Sequence, residues 1–155
     1  MLAVGPALAL LVSEPSDPAP PVFEIFGIST EEKDHFPYSK SDCLRWDADR
    51  LFCVTGLKLG NVRTESINFT YTEGRLSEVQ GQARSSEFPL MVKTLEMKYG
   101  PSTIRDGMHT WAFKGGSLIA REIEMKFTNK LMGCEFLFVN SDNSVVSERQ
   151  PIVNF

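Results

Sequence analysis

Residues 88–101, F-P-L-M-V-K-T-L-E-M-K-Y-G-P, carry their own start and stop signals for a helix. Pro89 falls in the first turn, where a missing N–H is harmless, and Ser85 or Ser86 offers a capping oxygen just before it. Phe88, Met91, Val92, Leu95 and Tyr99 recur at i, i+3, i+4, i+7 and i+11, a single apolar stripe, with Lys93 and Lys98 on the far side. Gly100 can take the positive φ that ends a helix, and Pro101 prevents continuation. Such a stripe has to be buried against something, and the segments around it alternate with a period of two. The combination predicts an α+β fold: an antiparallel sheet of about six to seven strands with one long and one short helix on one face.

The strands follow from the alternation and the turns. Leu51–Leu59 is apolar-rich and ends at Gly60-Asn61, a strong turn signal. Val62–Tyr71 puts Ile67, Phe69 and Tyr71 on one face and Ser66, Asn68 and Thr70 on the other. Thr72-Glu73-Gly74-Arg75 turns the chain into Leu76–Ala83, where Leu76 and Val79 break strict alternation and predict a bulge. After the helix, Met108–Phe113 joins Leu118–Phe127 through Lys114-Gly115-Gly116-Ser117. Ile119, Ile123, Met125 and Phe127 share a face with Arg121, which must therefore lie near an edge or be paired. Leu131–Val139 is the last strand, with Cys134, Phe136 and Phe138 on one side. Upstream, Val22–Ile28 reads as a short strand, and Ser29-Thr30-Glu31-Glu32 has the spacing of a capping box, predicting a brief helix limited by Pro37. Residues 29–83 and 86–139 are thus two candidate halves, each a helix followed by a meander. No residue-level repeat accompanies that order, and one sheet accommodates it with or without a duplication.

The ends and the cysteines speak to compartment. The chain of 155 residues fits one domain, here residues 22–140, with residues 141–155 as a polar C-terminal tail. Leu2–Val12, LAVGPALALLV, is followed by a Pro-rich stretch and is far too short to span a bilayer as a helix. It has the character of a signal-peptide core, although no Lys or Arg precedes it; the alternative is an apolar, then Pro-rich, disordered tail. Residues 1–21 are set aside from the fold on either reading. Cys43 and Cys53 bracket a segment short enough to close as a disulfide in an oxidising compartment, the alternative being two unrelated reduced thiols. Cys134 sits among apolar neighbours on a strand, as a buried cysteine serving as a small hydrophobe does. Together these features predict a periplasmic or secreted protein.

A cysteine pair ten residues apart, a strand–turn–strand with G-R-L, an F-x6-L-x2-K-Y-G helix and a Trp hairpin resemble small exported bacterial proteins of unknown function. The resemblance covers roughly Phe23 to Asn140 and rests on Cys43, Cys53, Gly74, Leu76, Phe88, Leu95, Lys98, Tyr99, Gly100 and Trp111. It implies the build and export, and it carries no catalytic residues.

Chemistry is sparse. A formal charge of −4 leaves no Lys/Arg surplus to neutralise phosphates, so no nucleic-acid partner is expected, and no cofactor or metal either. The two histidines, His35 and His109, limit nucleophilic schemes to a Cys134–His109 dyad, which would need a lowered thiol pKa and hydrogen-bond reach. Gly115-Gly116-Ser117 lies in a hairpin turn rather than at a strand-to-helix bend. Asp47 and Asp49 could offer carboxylates to a hard cation only if Asp42 or Glu65 joined them, and an acidic loop is the plainer reading. Trp46, flanked by Arg45, Asp47, Asp49 and Arg50 inside the Cys43–Cys53 loop, has the composition of a contact hot spot, with core packing of the indole as the alternative. Trp111 reads as core. The expectation is a small exported, non-enzymatic protein acting through contacts with an unidentified protein partner, in an inhibitor, accessory or envelope role. The alternatives are a thiol-dependent hydrolase using Cys134 and His109, or a purely structural envelope component.

Overall fold

The computed structural model describes residues 19–125 and 131–140. Residues 1–18 of the segment 1–21 set aside as leader or tail, the end of the strand expected to reach Phe127, and the tail 141–155 lie outside them. Ten strands and one α-helix run in the order β1 (Glu24–Ile25), β2 (Ile28–Ser29), β3 (Leu44–Arg45), β4 (Arg50–Thr55), β5 (Thr64–Thr72), β6 (Arg75–Arg84), α1 (Phe88–Tyr99), β7 (Thr103–Arg105), β8 (Met108–Phe113), β9 (Gly116–Met125) and β10 (Leu131–Asn140). Apart from the small β1–β2 hairpin, the strands form one antiparallel sheet ordered β3-β4-β5-β6-β10-β9-β8-β7. Two four-strand meanders therefore meet where β6 pairs with β10, and α1 is the crossover between them. The eight strands of this sheet exceed the six to seven expected because β3 and β7, the two edges, are too short to show a period.

The stripe of α1 is buried as its spacing dictates: Met91, Val92 and Leu95 face the sheet. There they meet the inward residues of the central strands, among them Phe69, Val79, Leu118, Ala120, Phe136 and Phe138. Phe23 stacks on Phe138 at 3.9 Å between centroids, with Tyr99 and Phe113 against its other sides. Gly100 ends the helix at φ 92°, and its carbonyl accepts from the indole Nε1 of Trp111 at 2.8 Å. Trp111 is thus core, as its sequence context suggests, and also satisfies a carbonyl left over at the helix end.

Three local expectations are corrected. Val22–Ile28 is not one strand: Phe26 and Gly27 both take positive φ, and the chain folds back as the β1–β2 hairpin. The capping-box bonds do form, Ser29 N–H to Glu32 Oε1 at 3.0 Å and Glu31 N–H to Ser29 Oγ at 3.1 Å, but no helix follows. Asp34 at φ 59° and Pro37 leave too few residues to nucleate one. The first half consequently lacks its helix, and the halves are alike only in being meanders. The strand from Leu51 ends at Thr55, with the expected turn at Gly60 made within the loop that follows.

Other turns hold. Glu73 and Gly74 carry the two positive φ angles of a tight hairpin. The bulge in β6 falls at Ser77, whose buried hydroxyl donates to the Thr70 carbonyl at 3.0 Å. Arg121 is paired, donating to Glu135 at 2.8 Å on the sheet face opposite α1.

Candidate functional site

The segment from Tyr38 to Asp49 is exposed at every position except Cys43. Its large apolar side chains, Tyr38, Leu44 and Trp46, stay outside the core, so its position depends more on bonds than on burial. The Cys43–Cys53 disulfide joins it to β4, next to the Leu44–Phe52 pair, with the Cα atoms 4.4 Å apart. Inside the bracket, Trp46 N–H donates to the Arg50 carbonyl at 2.8 Å. Asp47 Oδ1 accepts the amides of Asp49 and Arg50 at 2.9 Å, and its Oδ2 accepts Arg50 Nε at 2.6 Å. The Arg50 side chain, followed by the Asp49 amide, holds the Asp47 carboxyl below its ordinary range. Tyr38 adds a tether: its hydroxyl oxygen accepts the Gly56 amide at 3.0 Å, and that bond lowers the phenol pKa.

This hairpin presents two different sides. On the side facing away from α1, Leu44, Trp46 and Val54 remain 71%, 47% and 54% exposed. Trp46 meets the half-buried Phe52 edge-on at 5.7 Å, and the Arg50 guanidinium lies 5.2 Å from the Trp46 ring centroid. These side chains form an exposed apolar patch carried by a covalently clamped loop.

On its other side the hairpin is one wall of a cleft of about 390 Å³. Lys33, Asp34 and Phe36 form the second wall, and the β5–β6 turn with Glu73 and Gly74 the third. Phe36 and Tyr71 pack at 4.5 Å between centroids and, with Leu51, supply the apolar floor. The Tyr71 hydroxyl donates to the His35 carbonyl at 2.7 Å, and burial raises its pKa.

Of the residues singled out in sequence, Arg45, Asp47, Asp49 and Arg50 line this cleft, and Trp46 does not. The carboxylate of Asp47 is committed to Arg50 and the loop amides, the arrangement of a structural turn. Sequence reading missed Lys33, Asp34, Phe36, Lys40, Tyr71 and Glu73 as members of the same cleft. Only the Glu73-Gly74 turn had a local signal, because the other contributions come from long-range strand pairing.

Cys134 and His109 are not brought together. In register, His109 faces Ala120 on β9 and Cys134 faces Glu122, so the two lie two strands and two residues apart. The spacing across two strands alone is about 9–10 Å. The Cys134 thiol donates to the Arg84 carbonyl at 3.3 Å, and burial, followed by Glu122, pushes its pKa up to about 11. His109 Nδ1 instead lies 2.8 Å from Ser102 Oγ, which donates to Glu96 Oε2 at 2.9 Å. With the hydroxyl proton directed at the carboxylate, Nδ1–H is the donor to Ser102 in this arrangement. No family model, curated protein or solved structure matches the chain.

Proposed function

We propose that this chain is an exported, non-enzymatic protein acting through protein contacts made by the Cys43–Cys53 hairpin, in an inhibitor, accessory or envelope role. The observation that carries this reading is the exposed Leu44, Trp46 and Val54 side chains on a loop clamped by a disulfide. A rigid loop loses little conformational entropy when it docks, and an exposed Trp beside an Arg is the composition that dominates binding energy at interfaces. The disulfide itself is consistent with an oxidising compartment. Among the described residues no helix is long and apolar enough to cross a membrane.

The test is a photo-cross-linking residue at Val54 in the full chain, expressed in its native host, with Met97 on α1 as the control position. One discrete adduct at Val54, absent at Met97 and lost with Trp46→Ala, supports the reading. Equal labelling at both positions, or adducts indifferent to Trp46, overturns it. Intact mass before and after reduction and alkylation tests export: three thiols free without reduction would remove the basis for an oxidising compartment.

A further inference from the structure

The cleft lies on the other side of the hairpin from the exposed apolar patch. Arg50 and Asp47 neutralise each other, so they add no net charge to its rim. Six charged rim residues remain, and among the described residues none of their side chains is in an ion pair: Lys33, Lys40 and Arg45 against Asp34, Asp49 and Glu73. Arg45 makes one long bond, to the Ala48 carbonyl at 3.5 Å. The rim is therefore balanced, three charges of each sign, around a floor of Phe36, Leu51 and Tyr71.

That balance gives no net attraction to a ligand of one sign. A phosphate or nucleotide entering the cleft meets three carboxylates, and a polyamine or a metal cation meets three cationic groups. Like-charge contacts of this kind reject wrong partners more effectively than opposite charges at a wet rim attract right ones. A ligand complementary to both rim and floor needs an apolar body with a charge of each sign beside it. The volume, about 390 Å³, is at the low end of the range for small-ligand pockets and takes one large side chain with its neighbours.

We propose that this cleft receives a segment of a polypeptide partner that offers one apolar side chain flanked by charges of both signs. The kind of partner rests on the protein-contact reading above, while the site and its selectivity rest on the cleft alone. Arg45 and Asp49 on the hairpin, Lys33 and Asp34 opposite, and Glu73 at the turn flank the segment, whose apolar side chain sits on Phe36 and Leu51.

The experiment is a titration of the oxidised full chain, followed by amide NMR, with acetylated tripeptide amides. Lys-Leu-Glu and its reverse are the probes; Lys-Ser-Glu, Glu-Leu-Glu, Lys-Leu-Lys and inorganic phosphate are the comparisons. Saturable shifts at Phe36, Leu51 and Gly74 with at least one of the two leucine probes are expected. Binding should be about tenfold weaker when serine replaces leucine. Arg45→Glu, at an exposed position that leaves the fold intact, should weaken binding severalfold, and Met97→Ala should not change it. Equal binding of the serine or single-sign peptides, binding of phosphate alone, or no saturable shift overturns the proposal. A silent cleft with Trp46-dependent cross-linking at Val54 leaves the hairpin reading standing, and the converse result leaves the cleft standing, so the two fail separately.

Discussion

Phe136 lies across Gly81, its cross-strand partner, so closely that a β-carbon on Gly81 would stand 2.0 Å from the ring. The contact sits where β6 meets β10, the one pairing that joins the two meanders into a single sheet. The missing side chain lets the aromatic ring lie flat on the strand, which a Cβ would forbid. Gly81→Ala should therefore destabilise the protein by about 2–3 kcal/mol through overpacking. Denaturant unfolding checks this, and Gly81→Ala with Phe136→Leu should recover part of the loss.

On the opposite face of the same junction, Glu135 is almost fully buried and accepts from Arg121 Nε and Gln80 Nε2, both at 2.8 Å. Gln80 belongs to the first meander and Glu135 and Arg121 to the second, so the carboxylate helps set the register between them. Glu135→Gln should cost about 1–2 kcal/mol, because Arg121 is partly exposed and can turn its charge to water. Replacing the pair together, Glu135→Leu with Arg121→Met, should come close to neutral in stability. A double-mutant cycle on unfolding free energies gives both values.

Trp111→Phe keeps most of the buried ring but removes the donor to the Gly100 carbonyl. The expected loss is about 1–2 kcal/mol. Hydrogen exchange should show it in the last turn of α1 before the rest of the sheet.

Because Cys43 is the only residue from Tyr38 to Asp49 that is not exposed, the disulfide is the main anchor of that segment. Replacing both Cys43 and Cys53 with Ala should cost about 2–3 kcal/mol in the loop-entropy account. The first site of proteolytic cleavage should move into residues 38–49, with α1 still protected. Cleavage at α1 at the same rate would mean that the disulfide holds the whole fold rather than the hairpin.

Burial of Cys134 raises its thiol from the ordinary 9.0 to about 11. Between those values the unfolded chain has lost a proton that the native chain retains, so stability should fall as pH rises from 9 to 11. Cys134→Ala should flatten that part of the pH profile. Alkylation of the native thiol near pH 8 should be about a hundredfold slower than that of a free cysteine, since the thiolate is the reactive form. Fast labelling at that pH would instead favour thiol chemistry at this position.

For the long elements that bury one face, the sequence by itself determined the type of element and its inward side. The stripe from Phe88 to Tyr99 could only be a helix lying on a sheet, and Ile67, Phe69 and Tyr71 could only point inward, because periodicity records which side meets the core. The Glu73-Gly74 turn and the bulge at Ser77 were legible for the same local reasons. The capping box at Ser29 was legible too, and misleading, since its bonds form without enough following residues to make a helix. Only the tertiary structure decided the pairing of β6 with β10, the cleft, and the placing of Arg45, Asp47 and Asp49 in its lining while Trp46 lies outside it, against Arg50. Strand pairing at long range leaves no periodic trace: Phe36, Tyr71 and Glu73 become neighbours of Arg45 only when β4 pairs with β5. The disulfide then fixes an exposed segment that has no hydrophobic pattern to place it.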